Sequence, residues 1–201
     1  MLDTYKFIEK YKRISIIGME KNVGKTTLLN KLIADIGTNK KLGLTSIGRD
    51  GEDIDVVTNT DKPRIYVRRG SIIATGRNCL AKCDITKEIL YVTDFTTPMG
   101  SIVIVRALSD GYVDIAGPSY NKQVKIVVEL MEKFGSEISI VDGALGRKST
   151  AISDVSEATI LSTGAALSLD MLKVVEETKK TVYFLKLDEA EKNIKNKVEE
   201  L

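Results

Sequence analysis

The residues best suited to chemistry are Gly24, Lys25 and Thr26, within the segment IIGMEKNVGKTTLLNKL. A lysine and a hydroxyl residue after a turn are typical of nucleotide phosphate binding, because backbone N–H groups surround the phosphate, the ammonium neutralises it and the hydroxyl binds Mg²⁺. The apolar run from Arg13 to Ile17 predicts a buried strand before this turn, and helical spacing of leucines and isoleucines follows it. The sequence therefore predicts a phosphate-binding loop between a strand and a helix.

Each loop residue has an expected role. Lys25 is expected to reach the β- and γ-phosphates and to be a catalytic cation, Thr26 to coordinate Mg²⁺, and Thr27 to contact the α-phosphate. The positive end of the helix dipole adds to this attraction for anions. The residues predicted to bind the nucleotide are Asn22, Val23, Gly24, Lys25, Thr26 and Thr27.

The loop departs from the usual pattern at its entry. GxxxxGK[ST] requires glycine at position 19, where this chain has Met19, and Gly18 lies one residue early. A variant loop used by dimerising ATPases has an extra lysine five positions before the second one, whereas Lys21 precedes Lys25 by four. A helix start without a nucleotide, and a solvated Lys21, are the alternatives.

Asp142 is the first candidate for the metal. It ends the apolar run of ISIVDGALGRKS, as the acidic residue of a phosphate-binding protein does when it lies at the carboxyl end of a strand. The alternative is an aspartate that stabilises a turn with Gly143. Asp114, in YVDIAGP, competes for the same role, but its neighbours alternate in polarity and favour an antiparallel strand.

Asp50 is the candidate for orienting the attacking water, with Glu52 second. Both lie in LTSIGRDGEDID, after the predicted second strand. In phosphate-loop proteins this loop often carries the carboxylate that orients the water or meets Mg²⁺. A solvated acidic turn is the alternative.

Composition excludes several other chemistries. The chain of 201 residues has no histidine, which rules out imidazole triads and His-ligated zinc. Its 30 basic and 28 acidic residues leave +2, so no basic field indicates nucleic acid. Cys79 and Cys83 are too few for a disulfide framework and favour a reduced, cytoplasmic location, and no apolar run near the N-terminus is long enough for a membrane span.

Hydrophobic periodicity predicts alternating strands and helices at both ends of the chain. This alternation indicates an α/β fold with a mostly parallel central sheet flanked by helices. Together with the predicted phosphate loop, it predicts a P-loop NTPase. The predicted helices are Lys25 to Ile36, Lys122 to Phe134 and Ser168 to Lys179. The predicted strands outside the middle segment are Arg13 to Ile17, Leu42 to Ile47, Glu137 to Val141, Ala158 to Leu161 and Thr181 to Leu185.

Between about residues 58 and 117 the period changes to two, which predicts an antiparallel β insertion within a single domain spanning residues 1–201. Arg69-Gly70 and Ser109-Asp110-Gly111 are predicted to be hairpin turns. The predicted strands of the insertion are Arg64 to Arg68, Ser71 to Thr75, Glu88 to Thr93, Ser101 to Leu108 and Gly111 to Ile115.

Four segments together resemble a known family: IGMEKNVGKTTLLNKL, TSIGRDGE, TNTDKPRIYV and VDGALGRKS. They are similar to P-loop proteins associated with adenosylcobalamin-dependent aminomutases, such as the small subunit of the lysine 5,6-aminomutase reactivase. The resemblance implies ATP and Mg²⁺ as cofactors, and Lys25, Thr26 and Asp142 as nucleotide and metal residues. It also implies a protein partner, either the B12-dependent aminomutase or a larger reactivase subunit.

These observations predict a weak Mg-dependent ATP hydrolase that acts with that partner. The chain has no [NT]KxD motif with which to bind guanine, so ATP is favoured over GTP. A small-molecule kinase or ATP-dependent ligase is one alternative, and a nucleotide-binding interaction module with little turnover is another. A homodimer is compatible with all three functions.

Overall fold

The helices and strands are defined by a computed structural model, which describes residues 6, 8–48, 64–143 and 155–187. The helices in these residues are α1 (Lys25–Ile36), α2 (Arg77–Leu80), α3 (Asn121–Lys133) and α4 (Met171–Leu185). The strands are β1 (Arg13–Gly18), β2 (Leu42–Ser46), β3 (Ile65–Val67), β4 (Ile72–Gly76), β5 (Lys87–Thr97), β6 (Gly100–Ala107), β7 (Gly111–Val113), β8 (Ile138–Asp142) and β9 (Ala158–Ser162).

The main sheet has seven strands in the order β5-β6-β4-β2-β8-β1-β9. Neighbours from β4 to β9 are parallel, whereas β6 is antiparallel to both β4 and β5. β1, β2 and β8 are apolar runs because helices cover both faces of a parallel sheet. The prediction of an α/β fold with a mostly parallel sheet flanked by helices is confirmed.

Each face of the sheet carries its own apolar core. On one face, Leu29, Leu32, Ile33 and Ile36 of α1 pack with Ile14, Ile16 and other inward residues of β1, β2 and β8. On the other face α3 buries Val124, Val127, Val128 and Met131, the residues whose spacing predicts this helix. Arg13 joins the start of β1 to the end of α3, since its Nε and Nη2 lie 2.7 and 2.8 Å from the Glu132 carboxylate oxygens.

A second, two-stranded sheet is formed by β3 and β7, which pair antiparallel. Ile65, Val67 and Val113 belong to the same core as α1. Asn30 of α1 also accepts the Tyr66 N–H at 3.4 Å. The small antiparallel sheet is thus packed on the helix that follows the predicted phosphate loop.

The predicted insertion is only partly a separate antiparallel unit. β4, β5 and β6 extend the main sheet, and β4 is parallel to β2. Arg69-Gly70 joins β3 to β4 and Ser109-Asp110-Gly111 joins β6 to β7, so each connects strands of different sheets and neither prediction of a hairpin turn is correct. Alternating polarity identifies a strand but not the strand with which it pairs.

The predicted strand Thr181 to Leu185 is also wrong, because these residues form the last turns of α4. Their β-branched and aromatic types favour strands only when a sheet is available to pack against. The helix begins at Met171 rather than Ser168, since the Asp170 carboxylate accepts the Leu172 N–H at 2.9 Å and caps it. Among the described residues no helix is long and apolar enough to cross a membrane.

The segment Asp114 to Pro118 lies across the carboxyl ends of β2 and β4. The Gly76 N–H donates to the Ala116 carbonyl at 2.8 Å, and the Gly117 N–H donates to the Ser46 hydroxyl at 2.9 Å. A Cβ added to Gly117 would lie 1.7 Å from the Ser46 carbonyl oxygen. Only glycine permits this close approach of two backbones beside the candidate site.

We therefore expect Gly117→Ala to lower the free energy of unfolding by about 3 kcal/mol, because a backbone must move to admit the methyl group. Urea denaturation followed by circular dichroism measures the change. Gly164→Ala is the matched control, since its Cβ would meet nothing within 4 Å, and it should shift stability by less than about 0.5 kcal/mol. Equal effects of the two substitutions would contradict the close approach at Gly117.

Candidate functional site

The loop from Met19 to Gly24 joins β1 to α1 at the carboxyl edge of the sheet. After β1 the chain passes to β2, on the far side of β8, whereas after β8 it passes to β9, on the far side of β1. Adjacent strands β1 and β8 therefore lead in opposite directions, which opens a crevice between their carboxyl ends. Ligands of open α/β sheets bind at such a switch point.

The backbone of this loop has the shape of an anion site. Asn22 and Gly24 have left-handed φ values of 59° and 86°, and Asn22 is the one non-glycine residue with positive φ in the described part of the chain. When right-handed and left-handed backbone conformations alternate, successive N–H groups point into one concave site that can bind an anion. Asparagine and glycine are the residues that adopt this conformation most easily.

The N-terminus of α1 adds further donors. Gly24 is the residue before the helix and provides no side-chain cap, and the first helical bond runs from the Leu28 N–H to the Gly24 carbonyl at 2.9 Å. The N–H groups of Lys25, Thr26 and Thr27 therefore have no acceptor within their own helix. They can serve a phosphate, as predicted for Thr26 and Thr27.

Lys25 lies folded back along the loop. Its Nζ donates to the Glu20 carbonyl at 3.0 Å, and a Cβ added to Gly18 would lie 2.6 Å from that Nζ and 2.7 Å from Val23 Cγ2. Gly18 thus allows Lys25 and Val23 to pack closely over the end of β1, and a side chain at this position would make them shift. The ammonium therefore lies against the backbone of the loop that precedes it.

Met19 does not disrupt this arrangement. Its φ is not in the left-handed region, so a side chain costs nothing at this position. Its N–H donates to the Ser162 carbonyl of β9 at 2.9 Å, which extends the β1–β9 ladder by one residue.

Asp142 ends β8, one strand away from the loop. It is in register with Ile16 of β1 and Ser46 of β2, and the Gly143 N–H donates to the Ile16 carbonyl at 2.9 Å. Along β8 the side chains of Ile138 and Ile140 point into the α1 core, and Asp142 follows them on the same face. The predicted metal residue thus lies at the crevice, on the face from which α1 begins.

Of the other predicted acidic residues, only Asp114 lies in the described part of the chain. Asp50 and Glu52 lie outside the described residues. Asp114 directly follows β7 of the small sheet, and its carbonyl accepts the Thr75 hydroxyl at 3.0 Å. The predicted strand Gly111 to Ile115 therefore ends at Val113, and Asp114 adjoins the antiparallel pair of β3 and β7 without belonging to either strand.

Lys21 is exposed, and its backbone N–H donates to its neighbour's carboxylate, Glu20 Oε1, at 2.9 Å. Cys79 is buried and accepts through its carbonyl the Cys83 thiol at 3.3 Å. Burial raises the pKa of Cys83, which disfavours the thiolate that would bind a metal. Within the described residues no group of three or more cysteine or acidic side chains could hold a metal ion.

Sequence reasoning missed three contributors to the loop. The Glu20 and Ser162 carbonyls act through the backbone, so their residue types carry no signal. Gly18 did carry one, because a glycine at the end of an apolar strand marks a close approach of other atoms.

Comparisons with models of known protein families, with curated protein sequences and with solved structures found no match to this chain.

The left-handed backbone at Asn22 can be tested by stability. At an ordinary φ, alanine is more stable than glycine, whereas at positive φ alanine costs about 1 kcal/mol. We expect Asn22→Gly to unfold at higher urea concentration than Asn22→Ala. The reverse order in urea titrations of the two variants would contradict the φ of Asn22 and with it the concave backbone.

Proposed function

We propose that this protein binds Mg-ATP at the loop Gly18 to Thr27 and hydrolyses its γ-phosphate. One observation carries the proposal: a loop with left-handed Asn22 and Gly24 and an ammonium folded against it lies at the switch point of a mostly parallel sheet. Backbone donors, a helix N-terminus and a lysine at one place favour a polyanion over a neutral ligand.

Phosphate binding would require little rearrangement of the loop. Lys25 donates to a neutral carbonyl of the loop, and a phosphate oxygen is a stronger acceptor for an ammonium than a carbonyl. Gly18 leaves the room in which the lysine side chain moves, since it has no Cβ to block it. The chain would exchange one hydrogen bond of Lys25 for a charge-assisted one.

Thr26 and Asp142 would hold the Mg²⁺ ion. Both offer oxygen, which Mg²⁺ prefers, and Mg²⁺ is commonly bound by one or two protein groups together with substrate phosphates. Both residues lie at the crevice, since Asp142 is in register with Ile16 near the end of β1 and Thr26 is in the first turn of α1. When bound, the ion would neutralise charge that develops on the phosphate oxygens.

Hydrolysis would proceed by in-line attack of water on the γ-phosphate, with Lys25 neutralising charge in the transition state. Asp50 is proposed to orient that water, on its position after β2 in the sequence. Its loop follows the strand that pairs directly with β8. ATP is proposed rather than GTP because the chain lacks a guanine-binding motif.

The proposed function includes a protein partner, and the sequence motifs support it. Motifs on both sides of the nucleotide core resemble those of proteins associated with adenosylcobalamin-dependent aminomutases. We therefore propose such an aminomutase, or a larger reactivase subunit, as the protein whose affinity responds to the nucleotide. Turnover of ATP that needs no protein partner would instead favour the kinase or ligase alternative.

Isothermal titration calorimetry with Mg-ATP tests the phosphate loop. We expect a micromolar dissociation constant, about −8 kcal/mol, for the wild type. Lys25→Ala should weaken binding about 10- to 100-fold, because it removes one charge-assisted contact.

Lys31→Ala is the matched control, since it removes the same charge from an exposed turn of α1, where Lys31 pairs with Asp35. It should bind Mg-ATP as the wild type does. Equal affinity of wild type and Lys25→Ala would remove the phosphate-loop assignment.

Asp142→Asn should leave the fold intact and lower Mg-dependent ATP hydrolysis about tenfold or more, since it removes a metal-binding charge at constant volume. Release of phosphate, measured with Mg²⁺ and with EDTA, gives the Mg-dependent part. Asp94→Asn, on an exposed position of β5, is the control for the loss of one acidic group. Unchanged turnover in Asp142→Asn would transfer the metal role to Asp50 or Asp114.

A further inference from the structure

Helix α4 is unusually exposed for its apolar content. It has 15 residues, none of which is buried. Leu172, Tyr183 and Phe184 are exposed to 74%, 65% and 66%, and Met171 to 75%. A long helix with large apolar side chains in water indicates a surface that another molecule covers.

One side of α4 faces the rest of the chain. Val174, Thr178, Thr181 and Val182 are half-buried, and the Thr178 hydroxyl lies 3.0 Å from that of Thr163, just after β9. The opposite side carries Leu172, Glu176, Lys179 and Tyr183, at the spacing i, i+4, i+7 and i+11 that forms one straight stripe. All four side chains of this outer stripe are exposed.

The outer stripe is complementary to itself when its direction is reversed. Around the midpoint between Glu177 and Thr178, Leu172 is related to Tyr183 and Glu176 to Lys179. Two such helices laid antiparallel would place an aliphatic side chain against an aromatic one at each end. In the middle, each glutamate would face the lysine of the other helix.

We propose that α4 is a dimerisation helix, which packs its outer stripe antiparallel against α4 of a second copy of this chain. A two-fold axis gives an isologous interface, in which residue i contacts j and j contacts i, and the pattern of the stripe satisfies that condition. A different protein would need a surface with apolar, basic, acidic and apolar groups in the order that matches this stripe. A second copy of the chain already carries that order when its helix runs antiparallel.

Two more observations favour a second copy. Lys179 forms no ion pair with any residue of the described part of the chain, whereas Lys180, beside it, has Glu177 Oε1 at 3.0 Å and Glu176 Oε1 at 3.5 Å. Glu176 is exposed, so its carboxylate can also accept from Lys179 of a second copy. β9, which precedes α4, is the last strand of the main sheet and pairs with β1 alone among the described strands. None of its residues is buried, and an edge strand with accessible backbone is a place where a second chain can associate.

The dimer does not depend on nucleotide binding, so its test uses the full chain without ATP. Sedimentation equilibrium should give a dimer mass for the wild type in the micromolar range. Glu176→Lys, and separately Lys179→Glu, should weaken the dimer about tenfold, because each places like charges opposite each other at two symmetric positions. Mixing the two variants should restore association as a heterodimer, and so should the double substitution E176K/K179E.

Lys125→Glu is the matched control, an exposed charge reversal on α3, and it should leave the dimer unchanged. Circular dichroism should show the same thermal transition in all variants, since the outer stripe makes no buried contact within one chain. A monomeric wild type would overturn the proposal, as would a dimer that both single variants leave intact. Failure of the mixed variants to associate would overturn the antiparallel register.

Discussion

The parallel pairing of β8 between β1 and β2 is the constraint on which the site depends. It fixes Asp142 in register with Ile16 and Ser46, so that the end of β8 lies one strand from the loop that leaves β1. Parallel neighbouring strands have their carboxyl ends at the same edge of the sheet. The connections that follow β1 and β8 run to opposite sides, so a crevice lies between the ends of these two strands. Residues separated by more than a hundred positions in the chain thus share one crevice.

The sequence predicts those helices and strands whose buried residues recur at the spacing of the helix or strand itself. α1 and α3 each bury one stripe, and β1 and β8 are buried on both faces, so their apolar residues mark them directly. The apolar pattern of a strand does not show which other strand it pairs with. The placement of β4 in the main sheet, and the loss of the predicted hairpins, come from pairing across distant segments.

For the candidate site, too, the sequence predicts the side chains but not the backbone contacts. Lys25 and Thr26 were identified because side-chain types carry their chemistry, and Asp142 because it ends an apolar strand. The closing of the loop by the Glu20 carbonyl was not predictable, since any residue offers a carbonyl. Met19 illustrates the difference: the pattern has glycine there, whereas in this chain Met19 has no left-handed φ and the close packing of Lys25 falls on Gly18.

The candidate loop and α4 both contact the end of β9. The Ser162 carbonyl accepts the Met19 N–H at the entry of the loop, and the next residue, Thr163, meets Thr178 of α4 through their hydroxyls. Two consecutive residues therefore contact the two proposed surfaces. Free energy that couples such surfaces acts equally in both directions, so a nucleotide that strengthened the dimer would itself be bound more tightly by the dimer. Any such coupling would have its shortest covalent path through Ser162 and Thr163, the two residues at which the loop and α4 meet the end of β9.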